Sequence, residues 1–194
     1  MDELAFKANI DPLSFRLQHL EDKRARTCLE HLESNTSGLS LQEGEGLGYA
    51  FSRYKNSAAY CAVAARVSTL REKGEVRVVK MWAVIDAGET INPDGLKNQT
   101  EGGMIQSASW ALKEEVLFDR QHITSLDWNT YPILRFPDTP ETEVEVIDRV
   151  DQPPLGAGEA AQGPATAAIL NALFNATGVR IRELPVEKAL LKHS

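Results

Sequence analysis

A glutamate on a glycine-rich turn is the first candidate for chemistry in this sequence. Glu159 follows Gly156 and Gly158 in a segment that comes after two prolines and leads into a helix-like stretch. Glycine tolerates positive φ and lets the backbone approach another group closely, so such a turn can direct a carboxylate into a pocket. A carboxylate held in this way can act as a general base. On its own, the turn fits a solvent-exposed surface loop at least as well.

The composition excludes several other functions. The chain has 194 residues and a net charge of −7, its pI is about 5.2, and its basic residues are scattered. A nucleic-acid-binding surface needs a concentrated basic stripe, so we expect no nucleic-acid partner. Hydrophobic residues make up 42% and charged residues 25% of the chain, which is usual for globular proteins. No apolar run reaches the roughly 18 residues that predict a membrane span.

Residue types that commonly bind metals have no suitable spacing here. Cys28 and Cys61 belong to no CxxC motif and have no histidine pair nearby, which argues against a zinc ribbon. We expect both to be small buried apolar residues. Asp148, Asp151 and Glu159 lack the alternating oxygen ligands of a calcium loop. We therefore predict no metal ion bound directly by side chains of this chain.

The elements that must position Glu159 predict an α+β fold. We expect a two-layer domain of mixed sheet with packed helices, preceded by an N-terminal helical arm. The arm has a helical pattern over residues 2–33, in which Asp11 is the N-cap of a helix that starts with proline. The polar, glycine-rich residues 34–48 indicate a linker or a boundary. We place the arm at residues 1–38 and the α+β domain at residues 39–194.

Within the α+β domain, the pattern of apolar residues predicts alternating strands and helices. Val76, Val78, Trp82 and Val84 alternate along one predicted strand and should share one face. In chain order, the predicted elements are an antiparallel hairpin of residues 58–70 and 75–86 with a turn at Lys73-Gly74, a helix over 93–114, short strands at 116–119 and 123–126, a strand at 141–148, a helix over 164–176, and a tail at 181–192 that forms a short strand or loop and then a helix.

Three glycines inside the predicted helix over 93–114 need an explanation. Gly95, Gly102 and Gly103 each cost about 1 kcal/mol of helix stability relative to alanine. Close packing against another backbone or a ligand is the natural reason to keep them. We therefore expect this helix to pack closely on such a neighbour.

Several segments resemble one known family. Two of them, DPLxFR and QxEGGxxQ, are specific in combination, whereas the GxGE turn alone is weak evidence. Together they resemble the C-terminal part of the molybdenum-binding subunit of the xanthine dehydrogenase and aldehyde oxidase family. The greatest similarity is to the branch of the isoquinoline 1-oxidoreductase β-subunit and aldehyde dehydrogenase. The matching segments are residues 2–5 with 11–17, 84–88 with 91–93, 98–106, 156–159 and 177–185.

This resemblance implies an activity and a set of site residues. Glu159 falls on the family's catalytic glutamate, the base in the oxidative hydroxylation of an N-heterocycle or aldehyde with water as the oxygen source. Gln99 falls on the glutamine that contacts the cofactor near the metal, and Gly102 and Gly158 are assigned to the same cofactor site. The implied cofactor of the complete enzyme is molybdopterin, as molybdopterin cytosine dinucleotide with molybdenum.

The resemblance also implies that parts are missing. Most cofactor-binding elements of the family, including a GGGFG-type loop, precede the region that this chain matches. We expect a fragment of a larger subunit that alone is inactive and lacks the cofactor. The expected partners are the missing N-terminal portion, a [2Fe–2S] or cytochrome electron-transfer subunit, and a small-molecule substrate. The alternative is a non-catalytic association module that docks onto the rest of the subunit or an iron–sulfur partner. The sequence leaves the compartment, cytoplasmic or periplasmic, open.

Overall fold

A computed structural model describes residues 1–70 and 75–186 of the chain. Its centre is a four-stranded mixed sheet with the strand order β1-β2-β3-β4. The first three strands are antiparallel neighbours, and β4 runs parallel to β3. The predicted α+β class is confirmed. The strands are β1 (Glu45–Arg53), β2 (Tyr60–Leu70), β3 (Glu75–Asp86) and β4 (Glu141–Ile147).

Helices cover both faces of this sheet. Those of the N-terminal arm lie on one face, where α3 packs on β2 and β3. The two longest helices, α4 and α5, pack against each other and on the other face. Because α4 connects the parallel strands β3 and β4, it is the crossover that such a pair requires. The helices are α1 (Asp2–Ala8), α2 (Pro12–His19), α3 (Lys23–Thr36), α4 (Pro93–Leu112) and α5 (Gln162–Thr177).

The N-terminal arm consists of three helices where the sequence pattern indicates one helical region over residues 2–33. Asn9 ends α1 in a left-handed conformation, with φ of 53°. Asp11 begins α2 and accepts hydrogen bonds from two backbone N–H groups of its first turn, as predicted for an N-cap. Asp22 caps α3 in the same way. The capped starts of α2 and α3 therefore divide the arm into separate helices.

The prediction of a linker or boundary over residues 34–48 is wrong at both ends of the segment, because α3 extends to Thr36 and β1 begins at Glu45. Gly46 and Gly48 lie in β1 directly under α5. A Cβ atom on Gly48 would lie 2.1 Å from the backbone nitrogen of Ala172 and 2.4 Å from the carbonyl oxygen of Ala168. Glycines that suggest a linker in the sequence are here the contact points between a strand and a helix.

A bulge in β3 changes which side chains share a face. The pairing of β2 with β3 skips Val79. As a result Val76 and Val78 pack with α4 and α5, whereas Trp82 and Val84 pack with α3. The predicted common face of these four residues is therefore wrong, since one extra residue inverts the alternation of a strand.

Most later elements lie where the sequence predicts them. This holds for α4, β4 and α5, and Gly178 ends α5 in a left-handed conformation, with φ of 74°. The segments 116–119 and 123–126 form one isolated antiparallel bridge instead of two strands. Residues 181–185 form a loop. The predicted turn at Lys73-Gly74 and most of the predicted C-terminal helix lie outside the described residues.

Within residues 1–70 and 75–186, no helix is both long enough and apolar enough to cross a membrane.

Replacing Gly48 with alanine should destabilise the protein. The added methyl group would overlap backbone atoms of α5, and overpacking of this kind typically costs about 1–3 kcal/mol. Urea denaturation followed by circular dichroism measures the loss in unfolding free energy. Gly102→Ala is the matched control, because a Cβ atom there would meet no atom of residues 1–70 and 75–186 within 4 Å. The control should be neutral or stabilise the helix by up to about 1 kcal/mol. An unchanged stability of Gly48→Ala would contradict the contact of β1 with α5.

Candidate active site

The turn of residues 156–159 lies beside the end of β3 and the start of β2. Two backbone hydrogen bonds hold it there. The N–H of Leu155 donates to the carbonyl oxygen of Ala87 at 2.7 Å, and the N–H of Ala59 donates to the carbonyl oxygen of Gly156 at 3.0 Å. The position of the turn is therefore set by the sheet rather than by its own flexible backbone.

The chain that leads into this turn runs against Gly88. This residue has a φ of 75°, and a Cβ atom on it would lie 2.1 Å from the carbonyl oxygen of Pro153. The N–H of Arg149 donates to the Gly88 carbonyl at 3.1 Å, and the N–H of Glu89 donates to the Gln152 carbonyl at 3.0 Å. Only glycine permits both this conformation and this approach. Gly88 thus guides the chain toward the turn.

Asp86, the last residue of β3, joins three parts of the chain. Its fully buried carboxylate accepts hydrogen bonds from the guanidinium groups of Arg24 in α3 and of Arg149, and from the N–H of Gly88 at 3.1 Å. Burial alone would raise the pKa of Asp86, but the hydrogen bonds from the two guanidinium groups outweigh it and hold the pKa below its ordinary value. The ionised carboxylate ties α3 and the loop before Glu159 to the end of β3.

Three of the four predicted site residues lie together. The side-chain Nε2 of Gln99 in α4 donates to the carbonyl oxygen of Gly158 at 2.6 Å. Glu159 is the next residue of the chain. Gly102 lies three residues after Gln99 on the same side of α4, although the turn does not reach it. All four residues are exposed, so this arrangement is an open surface.

Two glycines of α4 have different surroundings. A Cβ atom on Gly103 would lie 3.2 Å from Oε1 of Gln162 and 3.4 Å from Cβ of Ala161, so α4 packs closely on the start of α5 there. A Cβ atom on Gly102 would meet nothing within 4 Å. The predicted close packing is therefore found at Gly103, and no described residue provides it at Gly102. The open face of Gly102 leaves room for a group from outside the described chain.

The start of α5 has unused hydrogen-bonding groups. Ala161, at the N-cap, has no side chain that could accept from the first-turn N–H groups. Oε1 of Gln162 is buried and has no partner among the described residues. A helix N-terminus attracts anionic groups, and a buried amide oxygen requires a donor. With the open face of Gly102, these groups fit a polar, anionic cofactor at the junction of α4 and α5.

A family model matches the larger part of the chain, including α4 but not the turn of residues 156–159. Residues 19–140 match the model of the molybdopterin cofactor-binding domain. The chain belongs to this family. A nicotinate dehydrogenase subunit of Pseudomonas putida is 42% identical over 202 residues, which cover 96% of this chain and 17% of that protein. The isoquinoline 1-oxidoreductase β-subunit of Brevundimonas diminuta is 32% identical over 195 residues, which cover 98% of this chain and 25% of that protein.

Solved structures of other proteins contain a fold similar to that of this chain. Quinoline 2-oxidoreductase from Pseudomonas putida 86 matches with a TM-score of 0.64 and 27% identity, over 69% of this chain and 18% of that one. Aldehyde oxidoreductase from Desulfovibrio gigas matches with a TM-score of 0.61 and 28% identity, over 69% of this chain and 15% of that one. The molybdopterin cofactor-binding family inferred from the sequence is confirmed, and the chain spans a quarter or less of each of these four proteins.

Other residues near the turn carry no local sequence signal. The hydroxyl of Tyr54 donates a hydrogen bond to Oε2 of Glu159, although the two residues are 105 positions apart. Asp86 is paired with Arg24 and Arg149, which lie 62 and 63 positions away along the chain. Only Asp86 could have been singled out from the sequence, because a carboxylate at the end of a long apolar strand requires a partner if it is buried.

A cavity of about 510 Å³ lies elsewhere, between the N-terminal arm and α5. Phe6, Tyr49, Phe174 and Arg180 are among its lining residues. None of the four predicted site residues lines it. The candidate site of this molybdopterin cofactor-binding domain is thus an exposed surface and not an enclosed pocket of the described chain.

Replacing Asp86 with asparagine should destabilise the protein in a pH-dependent way. At pH 7 the loss of a buried ionised partner should lower the unfolding free energy by about 3–5 kcal/mol. The folded-state pKa of Asp86 is lowered, so its contribution is present above the ordinary pKa of roughly 3.9 and is lost as pH falls toward the folded-state pKa. The difference between native protein and variant should therefore shrink below pH 4 in urea denaturation.

The control for this prediction is Glu143→Gln. Glu143 pairs with Lys80 at 2.9 Å on the surface, and exposed pairs contribute at most about 1 kcal/mol. A stability difference for Asp86→Asn that stays constant from pH 7 to pH 3 would contradict the ionised state of Asp86.

Proposed function

We propose that this chain supplies the catalytic base and part of the molybdopterin site of a molybdenum hydroxylase. The reaction is the oxidative hydroxylation of an N-heterocycle or an aldehyde with water as the oxygen source. The observation that carries the proposal is the bond from Gln99 to the carbonyl of Gly158, which joins α4 to the turn bearing Glu159. Residues 39–194 form the cofactor-binding domain in this proposal, and residues 1–38 form its arm.

The residues assigned to the cofactor are Gln99, Gly102 and Gly158. Gln99 is oriented by its bond to Gly158. Gly102 presents backbone without a side chain, and the first turn of α5 presents N–H groups to an anionic group. When bound, the cofactor supplies a molybdenum centre that accepts the two electrons removed from the substrate carbon.

Glu159 acts as the base in this proposal. Substrate C–H and one water become C–OH, and two electrons and two protons are released. Glu159 takes one of these protons from the water-derived oxygen that attacks the substrate carbon. A base must lie within about 2.6–3.2 Å of the atom that it deprotonates. The bonds of Leu155 and Gly156 to the sheet provide the fixed position that this requires.

The complete enzyme needs parts beyond the matched region. Two relatives are covered over only 17% and 25% of their length. We propose that the remaining walls of the cofactor site come from the remaining portion of a molybdenum-binding subunit, and that a [2Fe–2S] or cytochrome subunit takes up the electrons. The names of the similar proteins refer to both substrate classes. Nicotinate dehydrogenase is named for an N-heterocycle, and aldehyde oxidoreductase is named for an aldehyde.

A second candidate function is a non-catalytic module that docks onto the rest of the subunit or onto an iron–sulfur partner. The observation in its favour is the exposure of several large apolar side chains after α4. Phe118 is 76% exposed, Trp128 66% and Phe136 97%. Exposed apolar surface often marks a protein contact where it forms one patch. A docking module gives no role to Glu159, so substitution of this residue separates the two functions.

Replacing Glu159 with glutamine should abolish most turnover and leave the cofactor in place. The measurement uses this chain joined to the remainder of a full-length molybdenum-binding subunit. Without the base, turnover should fall about 10²–10⁴-fold, while the molybdenum content per subunit stays constant. Glu33→Gln, on the exposed side of α3, is the control and should change neither quantity.

Two results would go against the base role. Full turnover of Glu159→Gln with full molybdenum content would favour the docking module. A variant that loses molybdenum in proportion to turnover would assign Glu159 to cofactor retention instead.

A further inference from the structure

The carboxylate of Glu159 has no neighbour in its own turn that could orient it. The residues around it are Gly156, Ala157, Gly158 and Ala160, and the contacts of the turn with β2 and β3 are made by backbone atoms. A glutamate side chain has several rotatable bonds, so an exposed one takes many directions. The group that does hold it is the hydroxyl of Tyr54, which donates to Oε2.

Tyr54 is itself held firmly in the connection between β1 and β2. Its N–H donates to the carbonyl oxygen of Ala59 at 2.9 Å, and its ring packs against the core on the α4–α5 side of the sheet. The two residues that follow, Lys55 and Asn56, have φ of 50° and 58°, a left-handed conformation uncommon for residues other than glycine. Such a conformation persists where the surrounding contacts determine it.

The connection that carries Tyr54 is also joined to the Glu159 turn through the backbone. Ala59, the acceptor for Tyr54, donates its own N–H to the carbonyl of Gly156 at 3.0 Å. The tyrosine–carboxylate contact therefore bridges two segments whose relative position is already fixed. A hydroxyl in that position can restrict the direction of the carboxylate.

We propose that Tyr54 is a positioning residue for the base, directing the Glu159 carboxylate toward the substrate. This inference rests on the proposed function of Glu159. A phenol is a hydrogen-bond donor at neutral pH, and a carboxylate oxygen is an acceptor. The bond engages Oε2, so Oε1 is the oxygen that receives the proton.

Charged groups around Tyr54 help to hold its ring. The ammonium of Lys55 lies 5.1 Å from the centroid of the Tyr54 ring. A cation at this distance from an aromatic ring is attracted to it. The guanidinium of Arg53 lies over the ring of Tyr60 instead, and from α4 the amide of Gln99 contacts the same turn through Gly158.

The test in the complete subunit is Tyr54→Phe, which removes the hydroxyl and keeps the ring. A hydrogen bond to a charged group is lost, so kcat should fall roughly ten-fold. The loss should appear in kcat alone, because Tyr54 directs the base and does not itself contact the substrate. KM and molybdenum content should stay unchanged.

The matched control is Tyr131→Phe. Tyr131 donates to Oε2 of Glu114 at 2.7 Å, so this variant removes the same kind of tyrosine–carboxylate bond near the other end of α4. It should leave kcat unchanged. A kcat that falls equally in both variants, or that does not fall in Tyr54→Phe, would overturn the proposal.

A measurement on the chain alone separates this inference from the proposed function. In protein labelled with ¹³C-glutamate, the carboxyl resonance that disappears in Glu159→Gln belongs to Glu159. In Tyr54→Phe the chemical shift of this resonance should change, because the carboxylate loses the hydrogen bond from Tyr54, whereas Tyr131→Phe should leave it unchanged. An unmoved resonance would overturn the role of Tyr54 even if Glu159 proves to be the base. A shifted resonance with full turnover of Glu159→Gln would mean that the contact exists but that the proposed function is wrong.

Discussion

The ionised carboxylate of Asp86 is buried at the end of β3, and the rest of the site depends on how it is paired. Removing a charge from water costs several kcal/mol unless partners compensate for it. Here Arg24 and Arg149 compensate, one from the N-terminal arm and one from the loop that leads to the turn of residues 156–159. The same carboxylate accepts the N–H of Gly88. The route of the chain toward Glu159 therefore follows from the pairing of one buried charge.

This constraint connects the N-terminal arm to the candidate site. By sequence pattern the arm is a separate helical segment, but α3 packs on β2 and β3 and contributes Arg24 to the Asp86 cluster. On the opposite face, α4 and α5 pack closely at Gly103 and present Gln99 beside the turn. The site lies where these elements meet. Its exposed residues, and the oxygen of Gln162 that has no partner in the described part of the chain, fit a cofactor site whose remaining walls come from elsewhere, as the proposed function requires.

Periodicity was sufficient to predict β4, α4 and α5, because each has a regular apolar pattern and a clear start or end signal. It was insufficient where a single residue departs from the regular pattern of its element. In the sequence, Gly46 and Gly48 look like linker residues. In the structure, α5 packs directly on them, so a Cβ atom at either position would overlap its backbone. Val79 breaks the alternation of β3, which only the pairing with β2 reveals.

For the site, the sequence supplied the residues that belong to motifs. Gln99, Gly102, Gly158 and Glu159 were assigned by resemblance, and the structure adds the contact of Gln99 with Gly158. Tyr54 could not be found in this way, because its contact with Glu159 spans 105 residues and depends on the geometry of the β1–β2 connection. Contacts between distant segments follow from the fold and leave no local trace in the sequence.

In the complete enzyme, the surface that carries Gln99 and Glu159 should face the cofactor. The most direct measurement is a crystal structure of the complete molybdenum-binding subunit with its cofactor and a substrate analogue. We expect the cofactor to lie against α4 and the start of α5, with an oxygen of Glu159 within about 3 Å of the reacting group. A cofactor bound away from these helices, or a Glu159 side chain directed into bulk solvent in that complex, would contradict the proposed function.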